Sequence, residues 1–387
     1  MAKRVGIVSA AQTKFEKSKP AMNRSELIWD VIEKVLQETG LQFEDQVAEG
    51  LAIKKIVSCN DDYWDARSIS DMMIHPELGA FRMDQSKVAN DGAQAVYYAL
   101  LSVLAGYEIV LAVSHCKESQ APIGIVQSQV FDPIYLRPLG LGYLSAAAMQ
   151  ARRYMYKYSI TPEDCAKVVV KSRRNAKNNP YAQDSSTVTV GDVLNSRMLA
   201  SPIRALDVKV SPSDGACAMI IASEQIAKKL TDKPVWIEGI GNCYDAHYPG
   251  DRELADCDSL TMAAERAYRM AGINDPRQEI DVAEISTEYS YQELLWTEGL
   301  GFCERGEGGA LIEQGVTERQ GKLPVNPSGG MLAGNPPVVA GMARVFETFL
   351  QLRGEAGARQ IPKAKTALAH GVTGPCGQSH CVLILRN

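Results

Sequence analysis

The chain has 387 residues, 45% of them hydrophobic and 22% charged, with a net charge of −5. That length and balance support a large packed core in two or three domains, or one large duplicated one, and exclude a mainly disordered chain. No long charge run marks a nucleic-acid or polybasic membrane surface, and no apolar run reaches the ~18 residues of a membrane span. The opening MAKRVGIVSAAQTKFEKS alternates into polar residues and lacks the apolar core of a signal peptide, so a cytoplasmic protein is expected.

In chain order, Val5 to Ala10 reads as a strand. Arg24 to Thr39 has apolar residues at helical spacing and a Ser25 start. Leu51 to Ser58 is a strand, Asp91 to Ala105 a mostly apolar helix closed by Gly106, and Glu108 to Ser114 a buried strand. This strand–helix–strand rhythm predicts parallel α/β organisation. Residues 117–208 behave differently, with helices from Gly142 to Tyr156 and Thr161 to Asn178 and polar loops. They read as a domain inserted into the first half. Val208 to Ala222 returns to strand character. Pro234 to Gly241, Ser259 to Ala271, Ile280 to Ser286 and Tyr291 to Leu300 then repeat the order strand, helix, strand, helix. After the loop GKLPVNPSGGMLAGNPPVVAG come a helix from Pro337 to Arg353 and strands from Lys365 to His370 and His380 to Leu385. The repeat predicts a duplication, with halves 1–232 and 233–387 and the insertion at about 117–208.

Nine cysteines are scattered without a CxxC pair, so no zinc site is expected within the chain. RVGIVSAAQ lacks the GxGxxG of a dinucleotide site. No metal or cofactor is therefore expected.

Four separated segments, SPSDGACAMIIAS, QGKLPVNPSGGMLAGNPP, RVFETFLQLRGEAGARQ and HGVTGPCGQSHCVLIL, together resemble the thiolase superfamily over essentially the whole chain. The resemblance is to its sterol-carrier-type branch, which includes members that work with a small OB-fold, zinc-binding partner chain. It implies two βαβαβαββ halves in a five-layered α/β arrangement with an inserted loop domain. It also implies a homodimer, an acyl-CoA substrate, coenzyme A as acyl carrier, and no resident cofactor. The Gly/Pro loop would line the CoA thioester pocket. There Gly329, Gly330 and Gly334 would let backbone approach a ligand, and the prolines would hold the loop in advance.

The sequence departs from the family where the chemistry should sit. A thiolase needs a thiolate nucleophile and a base. The nucleophile of the Cys-x-x-Gly signature falls at Ala89, beside Asn90 and Asp91, with no cysteine within twenty residues. The Gly-His-Pro motif reads Gly334-Asn335-Pro336, and the Asn-Glu-Ala-Phe motif reads Ser286-Thr287-Glu288-Tyr289. In the last loop, Cys376 stands between Pro375 and Gly377.

Cys376, Glu288, Asn335, Asp91 and Tyr289 are the candidate catalytic residues. Gly329, Gly330, Gly334, Asn90, His370, Tyr291 and His115 are candidates for holding substrate or CoA. Asp91 reads equally as a helix N-cap, Cys376 as a small residue filling a turn, and Asn335 as an amide donor to a thioester oxygen. The acidic, aromatic DDYWDARS at 61–68 faces either substrate or a neighbouring chain.

The expected function is thiolase-type acyl transfer with free CoA on a 3-oxoacyl-CoA, bulky or aromatic in some relatives, with Cys376 as the relocated thiol. The alternatives are a retro-aldolase acting on a β-hydroxyacyl-CoA without a covalent intermediate, and a non-catalytic scaffold subunit.

Overall fold

The computed structural model describes residues 4–46 and 50–387. Nine strands form one hydrogen-bonded sheet. They are β1 (Val5–Gln12), β2 (Lys55–Cys59), β3 (Asp84–Val88), β4 (Ile109–Lys117), β5 (Asp214–Ser223), β6 (Val235–Tyr244), β7 (Val282–Ile285), β8 (Thr366–Thr373) and β9 (Ser379–Arg386). Their spatial order is β7-β8-β9-β6-β1-β5-β4-β2-β3. The helices that matter below are α1 (Arg24–Thr39), α2 (Gly92–Leu104), α3 (Tyr143–Tyr158), α4 (Pro162–Ala176), α5 (Asp258–Ala271), α6 (Ser290–Gly299) and α7 (Pro337–Arg353).

The duplication absent from residue identity is present in the topology. Outward from the centre the first half runs β1-β5-β4-β2 and the second β6-β9-β8-β7. Both runs pair antiparallel, antiparallel, then parallel. β3 adds a further parallel strand to β2, and a parallel bridge from Ala283 to Val325 stands at the matching place. The halves join through a short antiparallel contact of β1 with β6.

Strand periodicity sorts the core into three interfaces. On β4, Ile109, Leu111 and Val113 pack with α1, while Val110 and Ala112 face the centre, where α2 and α7 meet. On β9, Leu383 and Leu385 face that centre, while Val382 and Ile384 pack with α5 and α6. Helix, sheet, helix pair, sheet and helix therefore stack as five layers.

α2 and α7 approach so closely that a Cβ on Gly92 would lie 2.5 Å from the Met342 Cβ. α1 has the expected bounds, but Asn23 rather than Ser25 marks its start, capping it in a box with Glu26, and left-handed Gly40 ends it. Val208 to Ser213 carries no ladder, and β5 begins at Asp214. β3, with sequence DQSKV, is not foreseen. It is a half-exposed edge strand, so burial imposes no apolar alternation on it.

The Gly/Pro loop is fixed from two sides. From the second half, Arg344 of α7 donates to Glu284 of β7 (2.6 Å) and to the Asn335 side-chain oxygen (2.7 Å), and Ser328 donates to Glu284 through its backbone N–H (2.9 Å) and hydroxyl (2.8 Å). From the inserted region, Ser172 donates to the Gly329 carbonyl, Asn175 to the Asn326 carbonyl (3.0 Å) and Asn179 to the Ser328 carbonyl (2.9 Å).

Candidate active site

In open α/β sheets, loops beyond the carboxyl ends of parallel strands converge on a crevice. Here the segments after β2, β3, β7 and β8 do so. The inserted region and the start of α7 close the crevice into a cleft of about 850 Å³ of empty space, part of it open to solvent. Asp61, Tyr63 and Trp64 come from the first of these loops, Asn90 from the second, Glu288, Tyr289 and Gln292 from the third, and Gly374, Cys376 and Gly377 from the fourth. Val126, Gln127, Val130, Tyr143 and Ala147 of the inserted region and Met331, Pro337 and Val338 complete the walls.

Glu288 keeps an edge in the cleft, yet protein surrounds its carboxyl. Burial pushes its pKa up to about 7, with Lys209 pulling against the rise and Glu118 adding to it. Lys209 is itself neutralised, 3.0 Å from both oxygens of buried Glu118. Tyr143 and Tyr289 stand near enough to Glu288 and Cys376 that each negative charge would raise the phenols, which burial already holds far above neutrality. Both phenols are hydroxyl donors at any working pH.

Cys376 also faces the cleft, in a turn with φ +56°. Phe131, Ala146 and Tyr143 pack around it. Burial pushes its thiol up to about 12, against the opposing charge of Arg252. Arg252 donates to the Pro375 (2.6 Å) and Gly377 (3.2 Å) carbonyls, and Gln150 donates to the Cys376 carbonyl (3.1 Å). These bonds fix the turn.

The other candidates distribute as follows. Asn90 lines the cleft and donates to the Tyr244 hydroxyl (3.1 Å). Tyr291 lies behind the wall, stacked on Tyr289, its hydroxyl bonded to Gln150 (2.7 Å). Asp91 is buried; it caps α2 by accepting from Ala93 N–H (2.9 Å) and also accepts from Gly341 N–H (2.8 Å) of α7, and burial pushes its pKa up to about 7. Asn335 is buried against Arg344 and is not a wall residue.

His370 is fully buried, 2.9 Å from the His380 ring, and burial lowers its pKa to about 3. His115 lies 3.6 Å from Asp65 in the core. Neither lines the cleft. Nor do the three glycines. A Cβ on Gly329 would meet Ala176 at 2.8 Å, one on Gly330 would meet Asn326 at 2.9 Å, and one on Gly334 would meet Gln183 at 2.6 Å. All three have positive φ. Their bareness serves the approach of the loop to itself and to the inserted region.

Tyr143, Trp64 and Asp61 are among the wall residues sequence reasoning did not assign. DDYWDARS carried the signal for two of them; Tyr143 sits in an ordinary helical pattern. Among the described residues no group of three or more His, Cys, Asp or Glu is arranged to hold a metal ion, and no helix is long and apolar enough to cross a membrane.

The five layers, the repeated topology and a cleft at the strand ends define a thiolase-fold α/β protein. A family model described as "Thiolase C-terminal domain-like" matches residues 243–387. Acetyl-CoA acetyltransferase of Methanothermobacter thermautotrophicus is 34% identical over 386 residues, covering 96% of this chain and 97% of that one. Sterol carrier protein 2 of Bos taurus is 30% identical over 95% of this chain and 70% of its own, and benzoylsuccinyl-CoA thiolase subunit BbsB of Thauera aromatica is 34% identical over 59% and 60%. Among solved structures, an Ltp2-ChsH2(DUF35) aldolase superposes with a TM-score of 0.83 at 25% identity over 99% of this chain and 97% of that one. Human mitochondrial 3-ketoacyl-CoA thiolase, at 16% identity and a TM-score of 0.73, shares the fold. The chain belongs to the thiolase superfamily, in its sterol-carrier-type branch.

Proposed function

We propose that this chain makes or breaks a carbon–carbon bond beside the thioester carbonyl of an acyl-CoA by aldol chemistry, without an acyl-enzyme. One observation carries the reading. The cleft is lined by a carboxyl raised to about 7 and by two phenols, while its one thiol is held far above neutrality and no imidazole lines it among the described residues. An acyl-transferring thiol needs the thiolate; a retro-aldol step needs a base and hydroxyl donors.

With a β-hydroxyacyl-CoA, the Glu288 carboxylate takes the β-hydroxyl proton. The Cα–Cβ bond breaks as the C–O bond becomes a carbonyl, and its electron pair passes into the thioester as an enolate. Tyr143 and Tyr289 supply donors at the enolate oxygen. The Glu288 carboxyl then returns its proton to Cα. The products are an acyl-CoA and a ketone or aldehyde, and no free CoA is consumed. Asn335 and Asp91 act in this reading by holding the loop and α2, not by touching substrate. The full sequence match to an acetyl-CoA acetyltransferase and the place of Cys376 in the cleft favour the second reading, acyl transfer to free CoA through Cys376.

The working assembly in this proposal pairs two copies of this chain with a small OB-fold, zinc-binding partner. The two-component name of the aldolase structure supports such a partner.

The test is intact mass after brief exposure to short, branched and aromatic acyl-CoAs, together with product analysis on β-hydroxyacyl-CoAs with and without free CoA. Unmodified protein and a released carbonyl without added CoA are expected. An acyl adduct on Cys376, with turnover only when CoA is added, overturns the aldol reading in favour of thiolase.

A further inference from the structure

The walls of the cleft are aromatic and acidic. Trp64, Tyr143 and Tyr289 are among its aromatic wall residues, and Val126, Val130 and Val338 among its aliphatic ones. Two acidic residues, Asp61 and Glu288, line the same space, the Glu288 carboxyl set back in the wall. Among the described residues of its walls none is Lys or Arg. The nearby cations are already taken: Lys209 pairs with Glu118, and Arg252 is bonded to the 375–377 backbone. Asp61 is fixed in place, its side chain accepting from the Tyr63 (2.8 Å) and Trp64 (3.3 Å) backbone N–H groups.

We infer that the cleft selects an uncharged, flat apolar acyl group and rejects acyl groups that carry a second carboxylate. The inference rests on the reading of the cleft as an acyl-CoA site and adds the substrate class. A carboxylate brought into it would lose its hydration with no cation to replace it, and would sit beside like charges. A flat ring gains stacking and buried area against Trp64 and the tyrosines. This separates the chain from what the name of its benzoylsuccinyl-CoA thiolase relative implies, since a benzoylsuccinyl group bears a free carboxylate. Rejection is set by Asp61 and by the missing cation, not by cleft size.

The test measures binding and needs no turnover. Calorimetry compares 3-phenylpropanoyl-CoA with 2-benzylsuccinyl-CoA, which differ by one carboxymethyl group, on the full chain, alone and with its partner if one is isolated. The neutral thioester is expected to bind about 100-fold more tightly, the scale of like charges about 6 Å apart at an effective dielectric near 20. Asp61→Asn, which preserves the cap, should narrow the gap about tenfold. Gln127→Arg, which adds a cation to the wall, should narrow it further. Unchanged circular dichroism and melting temperature of both variants serve as the folding control. Equal affinity of the wild-type chain for the two ligands overturns the selectivity inference and leaves the acyl-CoA reading standing. Binding of neither overturns that reading as well.

Discussion

In the proposed reaction the chemistry concentrates on one residue, Glu288. Burial pushes its carboxyl up to about 7, because desolvation costs the charged form more than Lys209 returns. As a base it works ionised, so kcat/KM for cleavage should fall as pH drops below about 7. Glu288→Gln should remove that step and cost roughly 10²- to 10⁴-fold in rate. The same shift acts on stability with the opposite sign. Between its ordinary pKa of 4.5 and about 7 the unfolded chain has lost a proton the folded chain keeps, so the group destabilises the fold as pH rises through that window. Thermal melts of Glu288→Gln should therefore gain more over wild type at pH 8 than at pH 5, on the order of 1 kcal/mol. A melt difference independent of pH would mean that Glu288 is as solvated as a surface carboxylate. The sequence offered Glu288 because it supplies the carboxylate in Ser286-Thr287-Glu288-Tyr289, where the family's Asn-Glu-Ala-Phe motif stands. It offered His370 and His115 on residue type alone. Which partner a histidine meets, His380 or Asp65, is a property of strands far apart in the chain.

At the scale of the element, the 321–341 loop illustrates how local bareness is used. Its glycines read in the sequence as room for a ligand. The room is occupied by Ala176, Asn326 and Gln183. Gly329→Ala combines a φ of +95° with a 2.8 Å approach to Ala176, and should cost about 2–4 kcal/mol in urea denaturation. Gly142→Ala serves as the contrast: it has no positive φ, and a Cβ there meets nothing within 4 Å. A Gly329→Ala variant as stable as Gly142→Ala would mean that the inserted region does not press on the loop. The elements themselves were largely legible. α7 and α1 carry their full bounds in their periodicity, whereas β3, polar and at the sheet edge, carries none.

Across the whole molecule, Asp91 ties the two halves. Its carboxyl accepts from Ala93 in the first half and Gly341 in the second, and a Cβ on Gly341 or Gly371 would lie within 2.1 Å of its Oδ1. Asp91→Ala would leave two buried N–H groups unpaired at the central helix layer, a loss of about 2–4 kcal/mol. Denaturation followed in both halves, by Trp64 and Trp296 fluorescence in single-tryptophan variants, should lose coincidence of its midpoints. Coincident, unshifted midpoints would show that packing of α2 on α7 suffices without the carboxyl.

By itself the sequence determined the α/β class, the duplicated order, the inserted region and the absence of the family's cysteine at Ala89, because these rest on periodicity and on motifs that are continuous in the chain. Only the tertiary structure decided which side chains meet. Glu288, Tyr143, Tyr289 and Cys376 arrive from the second half, the inserted helix and the last hairpin, and the long-range packing that joins them also desolvates them. Desolvation brings the carboxyl up toward neutrality and drives the thiol further above it, and it depends on everything that surrounds a group rather than on its neighbours in the chain.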